Sequence, residues 1–189
     1  MAEESRHITD PKALRAMAHP LRWQLLEIVA REGTATATLC AQETGESVAN
    51  CSYHLNLLAK YDYVEKAEGG QGREKPWRVV SQSQRFGTED AFDDDTRLAV
   101  QAASSAFLDY EFSQIRDRSL RLHLEPAEWQ GVLGSDNSNE FMTPAEVEEL
   151  RLAYRELLER FRDRRTDPAK RPAGARPVNL FFATTVKPD

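Results

Sequence analysis

Ser47-Val48-Ala49-Asn50-Cys51-Ser52-Tyr53-His54-Leu55-Asn56-Leu57-Leu58-Ala59-Lys60 is the stretch whose reading decides the fold. Val48, Cys51, Leu55 and Leu58 recur at +3, +4 and +3, the spacing of one inward stripe on a helix. Ser47 is a good N-cap for that helix. The opposite face holds Ala49, Asn50, Tyr53, Asn56 and Lys60. These residues are small or able to hydrogen-bond, and the face carries no carboxylate.

Upstream, punctuation residues mark three shorter helices. Asp10-Pro11 is an N-cap followed by proline at the first helical position, and predicts a helix to about Ala18. His19-Pro20 ends it, because a residue before proline avoids the α region. Leu21, Leu25, Ile28 and Val29 form the stripe of a second helix that stops at Gly33. The segment from Thr34 to Thr38 supplies a further N-cap for a helix of about 39–44, which Gly45 closes.

Downstream the period changes. Tyr63-Val64-Glu65-Lys66-Ala67 reads as a strand and Pro76-Trp77-Arg78-Val79-Val80 as its return. The Gly-rich run from Glu68 to Arg73 turns between them. Three helices, a glycine turn, a polar-faced helix and a β-hairpin form the order of a winged helix-turn-helix. Residues 81–95 read as a polar linker ending in Asp93-Asp94-Asp95.

The rest of the chain reads as a helical module. Asp95 or Thr96 can cap a helix of about 96–124 that is apolar on more than one face and so needs more than one packing partner. Pro126 ends it. Thr143-Pro144-Ala145-Glu146 is a capping box. The helix behind it, about 144–163, carries an apolar seam of Val147, Leu150, Tyr154, Leu157 and Phe161. The run 162–176 is basic and proline-rich, so a loose segment is expected there. Residues 178–185 read as a strand, paired with 140–142 because a lone strand is not stable. The expected fold is mainly α with a small hairpin wing. It comprises a winged domain over 1–85, a linker over 86–95, and a dimerisation and possible effector module over 96–189 with a short C-terminal sheet.

This order implies a DNA reader. The second helix of such a pair enters the major groove and presents its first turns to base edges. Asn50 and Asn56 suit base edges, and Tyr53 suits a phosphate or a thymine methyl. Ser47, Ala49 and Ser52 allow close approach or backbone contacts, and the helix starts near Thr38 and Ser47 favour phosphate. Lys60, and Lys66, Gln71, Gly72, Arg73 and Lys75 of the hairpin, would bind the sugar-phosphate backbone or reach the minor groove. Leu98, Ala102 and Phe107, with the seam from Val147 to Phe161, are the expected dimerisation residues.

Residues 11–80 resemble the winged helix-turn-helix domain of the ArsR family of bacterial regulators. His19-Pro20-Leu21-Arg22 and Ser52-Tyr53-His54-Leu55-Asn56-Leu57-Leu58 carry the resemblance. The wing, Gly70-Gln71-Gly72-Arg73-Glu74-Lys75-Pro76-Trp77-Arg78, is similar to an actinobacterial-type branch. Met142-Thr143-Pro144-Ala145-Glu146 extends the likeness loosely. The resemblance implies a homodimer that binds operator DNA, usually as a repressor. Metal-sensing members carry a Cys-x-Cys pair that falls at Thr36 and Thr38 here. Neither threonine is a soft ligand, so no metal and no other cofactor is expected.

Charge and composition set the other bounds. The net charge is −6, but residues 1–85 hold 11 Lys/Arg against 11 Asp/Glu, so the deficit lies after them. Steering toward DNA should be modest. Cys40 and Cys51 read as buried core residues, and Trp129, Phe107, Tyr110 and Phe112 as core or as the lining of an effector pocket. No phosphate-binding Gly-Lys motif and no nucleophile elbow occurs, so an enzyme is not expected. No stretch nears the roughly 20 apolar residues of a membrane span. Met1 to Asp10 has no apolar core, so a cytoplasmic location is expected. Double-stranded DNA and a second copy are the expected partners, with a small-molecule effector as a further candidate. The sequence leaves open a winged-helix protein–protein interaction module that does not read DNA.

Overall fold

Asp10, His19, Thr36 and Ser47 set the helix starts of the N-terminal half. Each stands in an extended conformation, and its side chain accepts the orphan N–H of the first helical turn. The computed structural model describes residues 6–69, 75–81, 84–86 and 93–186. Asp10 accepts from the Lys12 N–H at 3.0 Å and starts α1, Pro11–Ala16. His19 Nδ1 accepts from Leu21 N–H at 3.2 Å and starts α2, Pro20–Glu32. Thr36 accepts from Leu39 N–H at 3.2 Å and starts α3, Ala37–Thr44. Ser47 accepts from Asn50 N–H at 3.1 Å and starts α4, Val48–Lys60.

Gly45 joins α3 to α4 with φ 75° and ψ 4°, a left-handed conformation that glycine adopts without a Cβ penalty. The cap of α3 is Thr36, so this helix begins before the position expected from the sequence, and Thr38 lies within its first turn.

Two small sheets follow. β2, Val64–Lys66, pairs antiparallel with β3, Trp77–Val79, in the register Val64↔Val79, Glu65↔Arg78 and Lys66↔Trp77. Trp77 also exchanges backbone hydrogen bonds with Ala35, at 2.9 and 2.8 Å, which ties the hairpin to the start of α3. The tip of the hairpin, with Gln71, Gly72 and Arg73, lies outside the described residues. The second sheet was not expected. β1, Arg6–Ile8, pairs in parallel with β4, Gln84–Phe86, which falls within the segment read as a linker.

α5, Asp94–Leu120, starts two residues before the expected 96, because Asp93 accepts from Thr96 N–H at 2.8 Å. Asp93 therefore does more than solvate a linker. The chain divides into two compact units at Arg116/Asp117, inside α5, and not at 86–95. The physical reason is packing. Ala99, Ala103, Ala106 and Tyr110 of α5 are buried, Phe107 lies 4.7 Å from Trp23 of α2, and the Tyr110 hydroxyl donates to Glu27. The first four turns of α5 thus belong to the N-terminal core.

That core gathers Leu14, Met17, Leu25, Val29, Cys40, Cys51, Leu55, Leu58, Tyr63 and Trp77, with Ala99 and Ala103. Tyr63 is sealed and donates its hydroxyl to Ala13 O at 2.9 Å, so its burial leaves no donor unpaired.

The second unit contains the end of α5, α6 (Ala127–Gln130), α7 (Pro144–Glu159) and α8 (Asp163–Thr166). The capping box of α7 forms as expected, with Thr143 N–H donating to Glu146 at 2.7 Å and Glu146 N–H to Thr143 Oγ1. The expected C-terminal sheet does not form: neither 140–142 nor 178–185 is a strand. Phe141 stands fully exposed, so it offers no seat for a partner. Side chains hold residues 176–182 instead, through Arg176 on Glu125 at 2.6 Å and Tyr154 stacked on Phe182 at 4.6 Å. Among the described residues of this unit none is buried. No helix among the described residues is long and apolar enough to cross a membrane.

Candidate nucleic-acid interface

α4 is held on three sides, by α2, α3 and β2, which leaves one face outward. Cys51, Leu55 and Leu58 are fully buried against the core, as the stripe requires. Val48 departs from it and is 46% exposed, because the first turn of α4 projects beyond the core. Tyr53 is 62% exposed, and Ser47, Ala49, Asn56 and Lys60 are exposed beside it. The expected contact face therefore opens to solvent with Val48 added, except at Asn50, which is half-buried.

Hydrogen bonds hold the two asparagines. Asn56 Nδ2 donates to Ser52 O at 2.7 Å and reaches Ser52 Oγ at 3.4 Å. Asn50 is half-buried, and its Nδ2 donates to Glu46 at 2.8 Å. Glu46 stands on the turn, outside the helical stripe, so a helical-wheel reading does not see it. It puts a carboxylate at the edge of a face that the helix alone leaves without one.

The hairpin contributes less free charge than its composition suggests. Arg78 pairs across the strands with Glu65 at 2.8 Å. Lys66 Nζ lies 3.3 Å from the centre of the Trp77 ring, and burial with the nearby Lys75 lowers its pKa. Asn56, Ala59, Asp62, Glu65, Lys66 and Trp77 line a cleft between α4 and the hairpin. Lys60 sits 5.5 Å from the Tyr61 ring.

A cluster that periodicity could not find braces the base of α4. His54 is 5% exposed, and its Nδ1 accepts from Arg22 Nε at 3.1 Å. The Arg22 guanidinium also donates to Ala16 O, and burial lowers its pKa. His19 lies 4.7 Å from His54, and Tyr53 meets the His54 ring edge-on at 5.2 Å. Burial first, then the charges of Arg22 and His19, push the His54 pKa below its ordinary value, and Glu46 opposes them. Arg22 and His54 stand 32 positions apart, so only their place in the resembling motifs pointed to them.

The two thiols face inward. Cys40 and Cys51 are fully buried, and burial pushes Cys40 up to about 12, away from the thiolate a soft metal needs. Thr36 is occupied as the α3 cap. Of the expected dimerisation residues, Phe107 packs within its own chain on Trp23, whereas Leu98 is 63% exposed. Ala102, Leu150, Leu157 and Phe161 are exposed, and Val147 and Tyr154 half-buried. No protein-family model matches the chain, and no curated protein matches it in sequence.

Proposed function

We propose that the chain is a winged helix-turn-helix transcriptional regulator, resembling the ArsR family, that binds double-stranded DNA as a homodimer. One observation carries the reading: α3 and α4, joined through Gly45, turn the hydrogen-bonding, carboxylate-free face of α4 outward beside the β2–β3 hairpin. A helix displayed in this way suits the major groove, and a hairpin beside it suits the flanking backbone. Asn50, Tyr53 and Asn56 are the base-reading residues in this reading, and Lys60 and the wing bind phosphate. Repression is the proposed outcome of operator binding.

α5 supports the homodimer. Its buried stripe rests on α2, while Leu98, Ala102, Ser105 and Phe112 form a separate exposed stripe, with Leu98 and Phe112 63% and 55% exposed. Leu98, Ser105 and Phe112 recur every seven residues, and two such helices can pair along that seam. Two-fold symmetry would set the recognition helices roughly 34 Å apart.

Binding of the full chain to a random duplex library at two salt concentrations tests the proposal. A selected sequence and a steep fall of affinity with salt are expected. No retained duplex at low salt would sink it. A second reading has its own support: the exposed Val48 and Tyr53, beside the Glu46 carboxylate, also suit a protein partner. That reading predicts no duplex binding at either salt.

A further inference from the structure

The bond between Arg22 and His54 has a protonation requirement. An arginine Nε–H can only donate, so His54 Nδ1 must present a lone pair and the ring carries its proton on Nε2. Arg22 is anchored a second time on Ala16 O, so the guanidinium cannot swing aside without losing that bond too. The acceptor stands on the DNA-facing helix and the donor on the helix that buries it, so this bond ties α4 to α2. A proton on Nδ1 would remove the acceptor. It would also place an imidazolium against a guanidinium in a site 5% exposed. The surrounding groups mostly reinforce this: the charges of Arg22 and His19 from the α2 side disfavour the proton, Tyr53 of α4 packs edge-on against the ring, and Glu46 favours the proton.

We infer that His54 is a positioning residue for α4, and that its protonation loosens the helix from α2 and weakens DNA binding as pH falls below neutrality. The binding half of this rests on the proposed DNA reading; the loosening of α4 does not. Its sign is distinctive. Protonating surface histidines makes a protein more cationic and ordinarily tightens its hold on phosphate. The Arg22–His54 bond predicts the opposite.

The test uses the full chain, with duplexes selected from a random library by the wild type at about pH 7.5. Wild-type affinity is expected to fall several-fold between about pH 7.5 and about pH 5.5, as the proton removes the acceptor that Arg22 needs. His54→Asn keeps an acceptor near the Nδ1 position and cannot titrate, so its affinity should stay level or rise over the same range. Imidazole NMR of the wild type should show His54 as the Nε2–H tautomer, titrating below the ordinary value of about 6.5, with α4 amides shifting in step. Parallel pH profiles for wild type and His54→Asn, or an ordinary His54 titration with still α4 amides, would overturn the inference. If no duplex is retained at any pH, the DNA reading fails, and the NMR titration alone decides whether the α4 release is real.

Discussion

Leu25, Val29, Leu55 and Leu58 of the first unit are sealed from solvent, while Leu150, Leu152, Leu157 and Phe161 of the second stand 43–53% exposed. Both units place these residues on helices with good caps, except Phe161, which follows the end of α7 at Glu159. The difference lies in what the helices meet. α4 has α2, α3 and β2 around it. The apolar seam of α7 meets Phe182 at Tyr154, but none of its residues is buried. A cap and a seam make a helix, and only neighbours make a core. The first unit seals its apolar residues among neighbouring elements, whereas the second presents many of its apolar residues outward.

The largest effect that could break this contrast is a cavity. Leu55→Ala in the first unit should cost about 2–5 kcal/mol, because a fully buried leucine leaves a void among fixed neighbours. Leu157→Ala, at a half-exposed position, should stay within about 0.5 kcal/mol for the monomer. Urea unfolding of both variants at low concentration measures the pair, and equal losses would end the distinction. Base selectivity comes next. Asn50→Ala should relax base preference by about 1–3 kcal/mol at one position, while Phe161→Ala in the second unit should leave the preferred sequence unchanged. Selection from a duplex library with each variant decides it, and an unchanged preference for Asn50→Ala would remove base reading from α4. Glu46→Gln should act more weakly and in the other direction. It removes a carboxylate beside the face while keeping an acceptor for Asn50, so affinity for any duplex should rise by roughly two- to tenfold, about 1 kcal/mol. A fall in affinity would mean that Glu46 instead holds Asn50 in its reading position.

Much of this contrast was legible in the sequence, and the part that was not has a physical cause. Asp10, His19-Pro20, Gly33, Gly45 and Ser47 act within one turn of chain, so helix limits could be read from them. The alternation in 63–67 and 76–80 likewise gave the hairpin. Long-range pairings could not be read. The β1–β4 ladder joins residues 78 apart and includes a strand of three ordinary polar and aromatic residues. The packing of α5 on α2 was visible only as excess apolarity, so the boundary of the first unit was placed too early. In the second unit the apolar run 178–185 was read as a strand because its composition fits one. A ladder requires an edge, and none is there. At the candidate site the sequence placed Ala49, Tyr53, Asn56 and Lys60 outward, as they are, but Val48 is exposed and Asn50 half-buried, and Glu46 and the Arg22–His54 bond depend on elements that the helical period does not see.

Acid should separate the two units in a fixed order. In the first, the folded chain holds the His54 pKa below its ordinary 6.5, chiefly through burial and then through the charge of Arg22. The unfolded chain therefore takes up this proton first, and stability falls as pH drops from about 6.5 toward the folded value. In the second unit the shifted groups that bear on acid are the carboxylates of Glu125, Glu146 and Asp163. Hydrogen bonds from the Thr143 N–H and hydroxyl lower Glu146, and Arg176 and Lys170 lower Glu125 and Asp163. Their contribution is complete above their ordinary values of 4.5 and 3.8, and is lost only as pH falls through the lower folded values. Asp93, lowered by Thr96, adds a similar late step to the first unit at the start of α5. Amide NMR across a pH titration should therefore show α4 responding at mildly acidic pH while the first turn of α7 stays still until pH falls below 4.5. The effect is small because single groups carry it, but its order is diagnostic. If α4 and α7 moved together, the His54 contact would not be setting the acid response of the first unit, and the two units would be coupled more tightly than their separate packing implies.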